Sequence, residues 1–261
     1  MELCTIRGSH PVIRKILAAA ERIAGTDVGV LIVGEKGTGK ELLARHIHSV
    51  SPRARGPFLR FDCQDATALR SGNDVAGALA QDGGASGVGA ALLDRARGGT
   101  LFLDHISALS AAVQERLLSA LLKDDIGETD VRLVAARDPA DAVSGCLTTA
   151  GLALVEIPLP ALRQRRSDIP VLVEHFLALY AARHELGTCR VDTEAMVQLW
   201  QYDWPGNVRE LESVIERVVV LSRSGLVHVT DLPAHIRSVT TKPRAASTQI
   251  NAGLRPSLAL R

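Results

Sequence analysis

The chain has 261 residues, 46% of them hydrophobic and 3% aromatic, with 30 Lys and Arg against 29 Asp and Glu for a formal net charge of +1. Such a length holds one large or two modest domains with a real core. The balanced charge and eight aromatic side chains argue against a basic, base-stacking nucleic-acid platform. No apolar run approaches the ~20 residues of a membrane span, and the first ten residues carry no apolar signal region, so a cytoplasmic protein is expected. Cys4, Cys63, Cys146 and Cys189 stand far apart without metal spacing and are expected to be reduced thiols.

In chain order, residues 10–24 place Val12, Ile13, Ile16, Leu17, Ala20 and Ile23 on a helical stripe. The β-branched run 28–33 reads as a buried strand, and 41–50 returns to helical spacing. Further strands are predicted at 57–62, 100–104, 131–136 and 153–158, with a helix at 111–123. Strands alternating with helices predict an α/β unit with a parallel sheet covered on both sides. Beyond about residue 162 three helical patterns follow without a strand run, which predicts an all-helical second domain with Asn207 as a helix N-cap. Trp200 and Trp204 are expected as its core anchors, and His46 and His48 on a half-exposed helix face. The boundaries expected are 1–162 for the core, 163–237 for the helical domain and 238–261 for a disordered tail.

The strongest chemical signal is Gly34-Glu35-Lys36-Gly37-Thr38-Gly39-Lys40-Glu41, between a predicted strand and a predicted helix. Glycines let successive N–H groups curl around phosphates, and the helix N-terminus adds positive potential. Lys40 is placed to meet the β- and γ-phosphates. Glu41 stands where the general motif has the hydroxyl that holds magnesium. The apolar strand TLFLD ends in Asp104, placed to orient Mg2+ through water. The next residue is His105 where such sites carry a water-polarising glutamate, so no catalytic residue is assigned.

These residues resemble the AAA+ domain of the sigma-54-dependent enhancer-binding activators, the NtrC-like group, as a degenerate member. The likeness rests on GEKGTGKELLARHIHSVSPRARGPF, RGGTLFLDHI, LPALRQRRSDIP and WPGNVREL and runs from about Ile6 to Ile236. It implies an AAA+ P-loop core with a five-stranded parallel sheet, a helical lid, ATP or ADP between them and a tendency to form rings. It also places Arg209 as the sensor II arginine and Arg163 near the nucleotide. Four departures stand out. Residues 78–90 lack the aromatic and threonine of the family's GAFTGA loop, which touches sigma-54, and 123–130 are too short for its second surface hairpin. Arg137 and Asp138 replace its sensor I Thr-Asn, and 145–154 hold no arginine where it supplies arginine fingers.

The resulting expectation is a transcription regulator that binds ATP or ADP with Mg2+ while hydrolysis and the sigma-54 contact are lost. It would work through protein partners, including an active homologue, or through a homo-oligomer or ring, with no direct DNA-binding element in this chain. Two alternatives stay open: an active ATPase that remodels sigma-54 polymerase, and a receptor for a signalling dinucleotide.

Overall fold

A computed structural model of the chain describes residues 6–64, 93–109, 130–141, 154–222 and 225–237. The expected helix at 111–123 and the segments 78–90, 123–129 and 145–153 lie outside the described residues. Five strands, β1 (Val30–Val33), β2 (Phe58–Asp62), β3 (Thr100–Asp104), β4 (Arg132–Arg137) and β5 (Val155–Pro158), form one parallel sheet in the order β2-β3-β4-β1-β5. The α/β reading with a five-stranded parallel sheet therefore holds. Strand ends differ from the predicted ones by up to two residues.

The pleat divides each strand between two cores. Val30, Ile32, Val134, Ala136 and Phe102 face α1 (Pro11–Ala24) and α2 (Lys40–Ser49), where they meet Ile13, Ile16, Ala20, Leu43 and Ile47. Leu31, Val33, Leu101, Leu103, Leu133 and Ala135 form the apolar layer on the other face. A parallel strand buried on both sides needs apolar residues at every position, and β1, β3 and β4 are buried along their whole length. Arg132 is the polar intruder. Its guanidinium donates to the carbonyls of Ala24 (2.9 Å) and Ile23 (2.8 Å) and so closes the C-terminus of α1.

The second unit packs α3 (Asp168–Arg183), α4 (Thr193–Gln201), α5 (Asn207–Leu221) and α6 (Ala234–Arg237) around Phe176, Leu199, Trp204, Leu211, Ile215 and Val218. It is not all-helical. Arg190–Val191 (β6) and Leu226–Val227 (β7) form a two-residue parallel pair, too short to register as a periodic run. Trp204 is fully buried and donates its indole N–H to the Leu199 carbonyl at 2.8 Å. Trp200 corrects the expectation for it: its residue is 46% exposed, and it receives the Arg166 guanidinium on its ring face at 5.6 Å. His48 is corrected in the opposite direction. It is buried at the end of α2 with Nδ1 2.9 Å from the Thr100 hydroxyl, and desolvation lowers its pKa.

Candidate functional site

At the carboxyl end of β1 the chain leaves the sheet as the loop Gly34 to Gly39 and re-enters helix at Lys40. Gly37 (φ +79°) and Gly39 (φ +102°) supply the left-handed conformations that turn the loop back toward α2. At Gly37 the lack of a side chain also matters sterically, because a Cβ there would lie 2.1 Å from the Gly206 carbonyl oxygen. Thr38 is spent within the loop, its hydroxyl donating to the Glu35 carbonyl at 2.8 Å. Lys40 is nearly buried. Its Nζ donates to the carbonyls of Gly34 (2.6 Å) and Glu35 (3.2 Å), and desolvation lowers its pKa against the opposing charge of Asp104.

The lid closes on this loop through Asn207. Predicted as an N-cap, Asn207 is instead the first residue of α5, at φ +55° and fully buried, and Gly206 precedes it as the cap. Its side-chain amide donates to the Lys36 carbonyl (3.0 Å) and the Glu35 carboxylate (3.2 Å), while its oxygen accepts from the Leu162 N–H (2.8 Å). The amide flip is assigned from this network. The N–H groups of Val208 and Arg209 both donate to the Gly37 carbonyl, at 2.9 and 3.3 Å. Trp204 also sits at positive φ, +51°. Two non-glycine residues in that region store of order 1–3 kcal/mol each, and the packing around Trp204 must hold them there.

The predicted arginines separate. Arg163 makes a two-pronged pair with Glu35 at 2.8 and 2.5 Å, and this contact lowers the Glu35 pKa. Arg165 is buried and donates to the Thr38 carbonyl at 2.9 Å, which ties the lid entry to the loop. Arg166 pairs with Asp203. Arg209 is exposed and, among the described residues, has no acid or hydrogen-bond partner for its guanidinium, while its charge reaches Lys40. Arg137 is buried on the sheet face away from α2, its guanidinium 3.8 Å from Glu156.

Two strands away, the parallel register sets Asp62 opposite Asp104 at the ends of β2 and β3. Arg60, on the same face as Asp62, places its Nη2 3.1 Å from Asp104 Oδ2 and 3.2 Å from Asp62 Oδ2, and its Nε 3.3 Å from Glu41. Glu41 also pairs with Arg45 at 2.8 Å. His105 takes a left-handed backbone, φ 53° and ψ 45°. Its Nδ1 lies 3.1 Å from Asp62 Oδ1 and 3.7 Å from Asp104 Oδ1. Neither Arg60 nor Asp62 is singled out by the sequence, although their i, i+2 spacing on a strand that ends opposite Asp104 is a signal that strand pairing makes readable.

With a phosphate-type loop, an acid strand and a lid helix seated on the loop, comparison with known proteins is decisive. The family described as "Sigma-54 interaction domain" matches residues 6–138, and the "AAA+ ATPase lid domain" matches residues 163–249. The chain belongs to the sigma-54 interaction domain family. Among similar members, the transcriptional regulatory protein ZraR of Salmonella typhimurium is 37% identical over 252 residues, covering 90% of this chain and 57% of ZraR. Nitrogen fixation protein VnfA of Azotobacter vinelandii is 35% identical over 248 residues, 89% of this chain and 47% of VnfA. The chain thus spans about half the length of the curated relatives it matches. Crystal structures of NtrX from Brucella abortus in complex with ADP and with ATP superpose with TM-scores of 0.73 and 0.74 at 27% identity, each covering 94% of this chain and 58% of NtrX. Four of the five strands, β1 to β4, lie within the residues matched by the sigma-54 interaction domain, β5 lies between the two matched segments, and no described helix is long and apolar enough to cross a membrane.

Proposed function

We propose that this sigma-54 interaction domain is a nucleotide-occupied regulatory module of transcription, binding ATP or ADP between the phosphate loop and the lid with little or no turnover. The observation that carries the reading is the joint built on Gly37 and Asn207, where the lid helix and the phosphate loop share hydrogen bonds. A ligand bound on that loop acts directly on the lid angle, so occupancy becomes a change of shape that a protein partner can sense. Lys40, Arg209 and the N–H groups of Gly37 to Glu41 supply positive potential for the phosphates. Glu35, Lys36, Thr38 and Arg163 shape the loop and its hinge. The nucleotide complexes of NtrX support the assignment by likeness.

Asp104 fits a Mg2+ ion held through water. It lies at the end of β3, nearly buried, with Arg60 on only one of its oxygens. Mg2+ there would neutralise phosphate charge. Turnover is expected to be low because Arg137, the only cation at the sensor I position, pairs toward Glu156 instead of the loop. In addition, 145–154 supply no arginine to a neighbour, and such a finger contributes ~10³–10⁵ in rate. The aromatic-free 78–90 segment argues for loss of the sigma-54 contact. Action through an active relative in a mixed ring, or through copies of this chain, follows from the family. One observation favours residual hydrolysis: His105 is hydrogen-bonded to Asp62, the arrangement by which a carboxylate orients a histidine base. Binding and turnover measured on one sample separate the readings. ATP or ADP binding weakened by Lys40→Ala, with turnover at background, supports the module, whereas equal affinity of wild type and Lys40→Ala overturns it.

A further inference from the structure

We infer that Asp62, Asp104 and His105 form a binding site for a first-row transition-metal ion, with the imidazole as a direct ligand, available in the protein free of nucleotide. The three side chains each offer one ligand atom, all within 4.8 Å of one another. One donor pair, His105 Nδ1 and Asp62 Oδ1, is already spaced for a shared metal, and Asp104 Oδ1 lies slightly farther out. His105 Nδ1 is 3.1 Å from Asp62 Oδ1 and 3.7 Å from Asp104 Oδ1. Ligands about 2.1 Å from a shared ion at tetrahedral or octahedral angles lie roughly 3.0–3.4 Å from each other. An ion therefore enters by displacing the His105–Asp62 hydrogen bond, with His105 in the tautomer protonated at Nε2, and by drawing Asp104 Oδ1 in by a few tenths of an ångström from 3.7 Å.

The surrounding groups hold this arrangement. Arg60 engages only the outer oxygens, Asp62 Oδ2 and Asp104 Oδ2, so Oδ1 of both carboxylates stays turned toward His105. The Gln64 N–H donates to Asp62 Oδ1 at 3.1 Å and the His105 N–H to Asp104 Oδ1 at 3.1 Å, each leaving a lone pair for an ion. Such outer partners orient first ligands and typically affect metal affinity 10–100-fold. The left-handed backbone of His105 turns its ring back over the strand ends instead of outward. A water-held Mg2+ uses oxygen donors and retains its hydration, whereas imidazole selects for Mn2+, Co2+, Ni2+ or Zn2+. His105 in place of a carboxylate thus changes which metal the site prefers.

The test is equilibrium dialysis of the untagged, nucleotide-free protein against Co2+, read with its visible ligand-field spectrum. One tightly held Co2+ per chain is expected, surviving a ten-fold excess of Mg2+. His105→Asn, which keeps the left-handed backbone without strain, is expected to lower Co2+ affinity at least ~10-fold and change the spectrum. Asp62→Asn serves as a second variant with the same expected loss, should His105→Asn fold poorly. Co2+ displaced by equimolar Mg2+, or retained unchanged in a folded variant, overturns the site. Because nucleotide is absent throughout, this outcome is independent of whether ATP or ADP binds at Lys40.

Discussion

The phosphate loop and the carboxylate cluster lie at the same edge of one sheet and are built by different means. At the loop, polar groups are mostly backbone: glycines set the path, Thr38 and Lys40 bind loop carbonyls, and the lid is hung on the carbonyls of Lys36 and Gly37. At the cluster side chains dominate, with Arg60, Glu41, Asp62, Asp104 and His105 holding one another. A backbone-built site tolerates sequence change as long as the glycines and one lysine remain. A side-chain-built site changes its chemistry with each substitution. That difference separates a loop whose path is set by glycines and Lys40 from a cluster whose polar groups include a histidine.

The comparison breaks hardest at Asn207, the side chain that bonds to both the loop and the lid entry. Asn207→Ala leaves the Leu162 N–H without a partner in a fully buried place and the Lys36 carbonyl without its side-chain partner in a half-buried one. A stability loss of about 2–4 kcal/mol is expected in urea unfolding, since each such orphan costs ~1–3 kcal/mol. Lys40→Ala comes next. Nucleotide affinity should fall roughly 10–100-fold by calorimetry, the worth of a hydrogen bond from a charged donor, while the unfolding midpoint moves less than in Asn207→Ala.

Arg163→Gln tests the ion pair that Glu35 makes on the loop. The pair is over a third exposed on its arginine side, so a change under about 1 kcal/mol is expected at neutral pH. Its sign with pH is defined. Arg163 holds the Glu35 carboxyl below its ordinary value of 4.5, so the folded state binds fewer protons there than the unfolded chain. The contribution is present above about pH 4.5 and lost as pH falls through the lowered folded value. Wild-type and Arg163→Gln stabilities should therefore converge in acid; a gap that stays constant down to pH 3 contradicts the assignment. The smallest effect is expected from His105→Glu, for which phosphate-release assays should remain at background. A carboxylate there still lacks an arginine finger for the transferring phosphoryl group, because 145–154 hold no arginine and Arg137 lies on the sheet face away from α2. Robust turnover in that variant would show the two halves to be one repairable active site.

Much of the loop is legible in sequence because its signals are local: a β-branched run, glycines at set spacing, a lysine opening a helix. Asp104 is legible for the same reason, as the acid ending an apolar strand. The lid residues are less so. Asn207 reads as a cap from its place before an amphipathic pattern, and only the positive-φ turn shared with Trp204 diverts its side chain to the loop. Trp200 reads as core by size, yet the small β6–β7 pair and the packing of α4 leave its face open beside Met196 and Val197.

By itself the sequence determined the strand, glycine loop and helix, the acid strand and the kinship with sigma-54 interaction domains, because each is written within one element or one short motif. Tertiary structure alone decided what those elements do to one another. Asn207 bonds to a carbonyl 171 positions away and Arg163 to a carboxylate 128 positions away, and Asp62 meets Asp104 only through strand register. Such contacts depend on docking and register, which no local period encodes. They settle which cations are spent on the protein, which stays exposed beside the loop, and that Asp62, Asp104 and His105 meet at one place.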